Sequence, residues 1–419
     1  MRHSRYLSQT LTVAACIMFL SACGKQKEAH LVLLTTGGAS RNAAEAALEE
    51  FYAENPGVNV QVVTTPAKDY YVKSLTMLAG GAQVDLLWQG QGFGIFAGRN
   101  TLVDLMPFIE KDPDFRLEDY NQTVVDWYRY KEKLYGIPFG VNVLAIAYNQ
   151  DLFDAAGLPY PQADWTLDDM LLCAEKLTRF DPETGRARVA GLGFRELGHR
   201  YYGLSLLSED QRHFMLNNEQ GRKWMLRNLD LIYNKRILQR GSDMESIDRL
   251  TGFFSEQVAI IDVSTWDIRE LRRNAHFRWD IAAIPLGEGG KRRVWASSAG
   301  FCIPRSSKQP ELAWKLLKKL SGKNFQRKMM DTNIPTLNAL IPEYLESNPK
   351  PPESLGELVR MIDYMQPDPR ISAFQEVKSE WNYWRERAFL REISVETALK
   401  KAESKINRIL DLHHERVLQ

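Results

Sequence analysis

Between Tyr135 and Phe153 the chain reads YGIPFGVNVLAIAYNQDLF, and this run narrows the fold more than any other feature. So long an apolar run is a strand buried on both faces, at home in a sheet covered by helices. Yet Gly136, Pro138 and Gly140 open it, and a lone amide, Asn142, stands in its middle. Flexible punctuation and a polar group are out of place in a strand confined to one core. They pose the question of what such a strand joins.

The flanking sequence supplies the first part of the answer. HLVLLTT (30–36) reads as a strand and residues 40–57 as a helix with Ser40 at its N-cap and Pro56-Gly57 as its stop. VNVQVVTT (58–65) is a second strand, 67–81 a second helix and 84–90 a third strand. Alternation of this kind predicts a parallel α/β domain. A second α/β region follows: strand VLAIAYN, a helix capped by Thr166, a short strand at 190–194 and helices over 217–236 and 245–255. Strands are then expected at 256–264, 279–291 and 294–304, followed by a pair of helices and a mostly helical last stretch. No repeat or low-complexity linker separates the two regions, so the strands themselves are expected to cross between two α/β lobes.

The chain has 419 residues, enough for two or three domains, and its 44% hydrophobic and 26% charged content is that of a globular protein. A formal net charge of +1 carries no nucleic-acid footprint. Arg2 and Arg5 precede an apolar segment, Leu11 to Leu20, too short to span a bilayer. LSAC (20–23) follows and resembles the bacterial lipobox. That resemblance implies a signal peptide over 1–22, lipid on Cys23 and a tether over 23–29; the alternative is an ordinary secretory signal cut after Ala22. Of the other cysteines, Cys16 leaves with the signal; Cys173 in a helical pattern and Cys302 in a strand pattern could pair in an exported protein, or stand as two buried free thiols, the reading preferred. No Cys/His spacing suggests a metal site, and no cofactor is expected.

LYGIPFGVNVLAIAYNQDLFDAAGL with WTLDDMLLCAEKLT, then ASSAGFCIPRSSKQPELAWKLLKKLSG, then SVETALKKAESKI occur in this order. Together they resemble the family-1 extracellular solute-binding proteins, the ABC-importer receptors that include the maltose-binding protein. The resemblance implies an α/β fold of type II periplasmic-binding-protein kind, in which two α/β lobes are joined by crossing hinge strands. It places lobe 1 at 30–140 and 299–335 and lobe 2 at 142–297 and 337–419. It implies no catalysis. It implies capture of a sugar or oligosaccharide in the cleft, delivery to ABC permease subunits, and an extracytoplasmic monomer held at the membrane through Cys23.

A sugar site needs aromatic faces for the C–H side of the ring and amides, hydroxyls or charges for its hydroxyl groups. Asn142, at the first crossover, is either a hydroxyl contact or a structural amide. WQGQGF (88–93) offers Trp88, Gln89, Gln91 and Phe93, with alternating glycines that would let backbone approach a ligand, although Trp88 equally suits a core. TTGGASR (35–41) offers Ser40 and Arg41 at a helix start, where an anion could bind, or a solvated turn. Trp266 in VSTWD is the leading stacking candidate, and Trp295 and Ser298 hold the second crossover. Glu196 and Tyr201 match positions where the maltose-binding relative carries a carboxylate and an aromatic. A neutral oligosaccharide is the expected ligand.

Other classes fare worse. There is no G-x-S-x-G elbow, and the paired acids Asp168-Asp169 sit at a helix start where the dipole accounts for them. Polyamine, iron or anion binding, or a lipid-anchored sensor for a receptor kinase, are the alternatives within the same fold.

Overall fold

The structure, a computed structural model, describes residues 29–37, 39–239, 247–366 and 368–418. The expected signal peptide, Cys23 and Gly38 lie outside them. Among the described residues the strands are β1 (Ala29–Thr36), β2 (Val58–Thr65), β3 (Leu86–Gln89), β4 (Arg129–Tyr130), β5 (Lys133–Leu134), β6 (Gly136–Asn149) and β7 (Arg179–Phe180). They continue as β8 (Ala187–Leu192), β9 (Val258–Ser264), β10 (Trp279–Ala282), β11 (Val294–Cys302), β12 (Ile334–Pro335) and β13 (Met365–Gln366).

β6 organises the molecule. Its first half, Gly136 to Val143, pairs antiparallel with β11, while Leu144 to Tyr148 pairs antiparallel with β9. The partner changes between Val143 and Leu144, one residue beyond Asn142. The sheet consequently runs β2-β1-β3-β11-β6-β9-β8-β7, with β10 and β12 also on β6 and β13 on β11. On one side β1 is parallel to β2 and β3, and on the other β8 is parallel to β9. Two α/β halves thus share the crossing strands β6 and β11. β12 lays a third short crossing on Gly140 and Val141. Every residue of β6 is buried except the half-buried Leu144, which accounts for the unbroken apolar run.

The crossing is stiff on the β3 side. Phe139 of β6 packs on Phe301 of β11 at 5.2 Å between ring centroids, and Phe325 meets both, at 4.8 and 5.7 Å. On the far side a helix spans Leu167–Leu177. Its Thr166 cap is in place: Thr166 Oγ1 accepts from the Asp169 N–H, and the Asp169 carboxylate accepts from the Thr166 N–H at 2.8 Å.

Several expected boundaries move. The first helix begins at Ala39, so Ser40 stands in its first turn instead of capping it. The helix expected over 67–81 divides into a 3-10 turn, Ala67–Asp69, and a helix, Tyr70–Ala79, because Pro66 opens a turn and Gly80-Gly81 ends the helix. The helix expected over 245–255 spans Arg249–Phe254 behind an Asp248 cap. Cys302 is buried in β11, Cys173 is half-buried, and both are free thiols.

Candidate functional site

A cavity of about 300 Å³ lies where the strands cross. Asn142 of β6 and Ser297 and Ser298 of β11 form its floor, and Asn333 and Thr332, just before β12, close one side. The Asn142 amide donates to Asn333 Oδ1 at 2.7 Å, and Asn333 donates to Thr332 Oγ1 at 2.9 Å. Gly140 permits this: a Cβ there would stand 2.7 Å from Asn333 Cβ. Asn142 Oδ1 is buried and accepts nothing from the described residues. A buried acceptor left unpaired costs roughly 1–3 kcal/mol, which a ligand hydroxyl would recover by donating to it.

Aromatic and polar walls come from both halves. Trp88, half-buried at the end of β3, is held edge-on against Tyr70 at 5.3 Å and faces the cavity with Gln91 and Ser40. Opposite stands Trp266 in the first turn of the helix Thr265–Asn274, 42% exposed. That helix start is fixed by Asp267, whose carboxylate accepts from the Ser264 N–H at 2.9 Å and pairs with Arg249 at 3.0 Å. This turn therefore presents the indole to the cavity. Among the described residues no ionisable side chain lines this cavity.

A second cavity, of about 730 Å³, adjoins it. Trp295 lines it, and the Trp295 and Trp266 rings meet edge to face at 6.1 Å, one on each cavity. Its walls carry five cations, Arg200, Arg293, Arg370, Lys378 and Arg385, against two acids, Glu209 and Asp368. Arg200 pairs with Asp368 at 2.9 Å. His199 lies there too; burial, and then the neighbouring Arg200, Arg385 and Arg293, hold its imidazole well below the ordinary range, so it is neutral at pH 7.

Of the residues singled out in the sequence, Trp266, Asn142, Trp88, Gln91, Ser298 and Ser40 line the hinge cavity and Trp295 the second. Five sit elsewhere. Gln89 is fully buried on the opposite face of β3 from Trp88; its backbone pairs with β11 and its carbonyl accepts from the Tyr128 hydroxyl at 2.9 Å, while its side-chain amide has no partner among the described residues. Phe93 is a core ring packed on Tyr128 at 5.3 Å. Arg41 points to solvent and pairs with Glu45 one turn on. Glu196 is bound to Arg385 at 3.1 Å and lines a third cavity. Tyr201 is buried, edge-on to Phe194 at 5.6 Å. The alternating glycines of WQGQGF serve packing: a Cβ on Gly92 would fall 2.3 Å from the Tyr71 ring. Asn333 and Thr332 were not anticipated. Their one signal is a polar pair ahead of a two-residue strand. Among the described residues no cluster of three His, Cys, Asp or Glu side chains could hold a metal ion.

Two α/β halves, joined at crossing strands and facing a shared cavity, define a receptor for a small solute. Over residues 37–326 the chain matches the bacterial extracellular solute-binding protein family, and it belongs to that family. It is accordingly a binding protein and not an enzyme, and it works outside the cytoplasm. A Brucella abortus protein named as a binding protein is 22% identical over 331 residues, 76% of this chain and 78% of that one. The sugar-binding protein MalE of Xanthomonas citri superposes with a TM-score of 0.78 at 20% identity, covering 93% of this chain and 99% of MalE. A Listeria monocytogenes ABC substrate-binding protein in complex with cycloalternan gives 0.75 at 24% identity, over 92% and 99% of the two chains. The shared architecture is the type II periplasmic-binding-protein fold.

Proposed function

We propose that the protein is the receptor of an ABC importer for a saccharide. It would capture the sugar between lobe 1 (30–140 and 299–335) and lobe 2 (142–297 and 337–419), close over it, and present it to the permease subunits. One observation carries the reading: the hinge cavity offers two indoles, amides and hydroxyls, and among the described residues no charge. A pyranose asks for that combination. A free amino acid would need partners for its ammonium and carboxylate, a polyamine would need acids, and iron would need clustered Tyr, His or carboxylate ligands. The sugar-binding function of the structural neighbours agrees with it. Ligand contacts are assigned to Trp266, Trp88, Asn142, Gln91, Ser298 and Ser40, and the mature chain is a monomer anchored by lipid on Cys23.

A thermal-shift screen over saccharides, amino acids and polyamines tests this. A ligand at about 100 times its Kd stabilises by about 2.7 kcal/mol, several degrees in Tm for a chain of this size. Saccharides are expected to give the shift. A shift with an amino acid or polyamine, and none with any saccharide, would overturn the assignment.

A further inference from the structure

We propose that the second cavity holds an acidic group of the solute, so that the ligand is an anionic saccharide bearing a carboxylate or a sulfate, in place of the neutral oligosaccharide that the sequence suggests. The inference rests on the saccharide reading of the hinge cavity.

The first ground is charge. Arg200 is matched by Asp368 and Arg385 by Glu196, at 2.9 and 3.1 Å. Arg293 and Lys378 line the same cavity with no carboxylate partner among the described residues, and Arg293 Nε is buried without a hydrogen-bond acceptor. A partly buried guanidinium without a counter-ion is a standing cost, and an anion entering the cavity removes it. The planar fork of arginine suits a carboxylate or sulfate, which it can bind through two parallel N–H groups.

The second ground is continuity. The hinge cavity, at about 300 Å³, sits at the lower end of the ~300–1,000 Å³ range of ligand pockets. The Trp266–Trp295 edge-to-face pair carries its aromatic wall directly into the cationic cavity. A ring stacked on Trp266 can therefore extend its next unit, or its acidic substituent, past Trp295 towards Arg293. The division of labour is chemical: the uncharged cavity recognises a ring, and the cationic one recognises charge. The neutral state of His199 fits this field, since the arginines that would bind the anion also oppose protonation of the imidazole.

Calorimetric titration of the mature protein tests the inference. The ligands are neutral di- to tetrasaccharides, their uronic-acid counterparts and their sulfated counterparts, matched in length. The acidic compounds are expected to bind at least about tenfold more tightly, the scale of one charge-assisted hydrogen bond. Arg293→Gln should remove most of that preference. Raised salt should narrow it as well. Lys378→Gln, at an exposed position, makes the same test should the first variant fold poorly. The uronic and sulfated arms identify which anion is preferred. Neutral saccharides binding as tightly as both acidic sets, or an acidic preference untouched by both variants, would overturn the anionic assignment while leaving the saccharide reading in place. Failure of every saccharide to bind would remove both.

Discussion

Asn142 and Trp266 are two hinge-cavity side chains to which a ligand would supply a missing contact. One holds a buried oxygen with no donor, and the other keeps an indole 42% exposed. Trp266→Ala is expected to abolish the saccharide-induced Tm shift while changing the stability of the empty protein by no more than about 0.5 kcal/mol, as at other exposed positions. An unchanged shift in that variant would refute its role. Asn142→Ala should weaken binding about tenfold in the same assay, through loss of the acceptor and of the hold on Asn333. Asn142 stood out as an amide inside an apolar run and Trp266 through the family resemblance, and both line the hinge cavity. Gln89 was misplaced because strand parity decides it, whereas Phe93 opens the helix Phe93–Gly98 and turns into the core. On β3, Trp88 and Gln89 point to opposite faces, and the hexapeptide alone does not say which face meets the cleft. Asn333 was invisible for a different reason, since its contact with Asn142 spans 191 residues of sequence.

At the scale of the element, β6 carries the argument. Its glycines and proline read as flexible punctuation, and its position as the crossing came from the resemblance to the family. The reason for Gly140 was not: it makes room for Asn333 to reach Asn142, with the Phe139–Phe301–Phe325 cluster packed alongside. Gly140→Ala should therefore destabilise the protein by about 1–3 kcal/mol in chemical denaturation, the cost of overpacking, and weaken solute binding. Equal stability and affinity would show that the position is spacious. The short 3-10 element carrying His199 makes a pH-dependent contribution. Its folded pKa is depressed, so as pH falls through the ordinary histidine range near 6.5 the unfolded chain takes up the proton first and stability is lost. Between about pH 7 and about pH 5.5 the Tm should fall, and His199→Gln should flatten that part of the profile.

For the whole molecule, the sheet that changes partners after Val143 makes two bodies from one chain, and the short stretches at the crossings are where rotation can occur. The alternation of strands and helices, the three ordered motifs and the absence of a linker made that architecture readable. The cavities were not, because their walls come from segments as distant as 37, 142, 266 and 333. Solute should lower the radius of gyration in solution scattering as the lobes close, and Cys23→Ser should move the protein from the detergent to the aqueous phase on partition. The central claim, that a sugar is held at the crossing strands, is tested most directly by a crystal structure with the tightest-binding saccharide of the titration series. A sugar ring on the Trp266 face, with a hydroxyl donating to Asn142 Oδ1, is the predicted result. A saccharide bound away from both residues would contradict it.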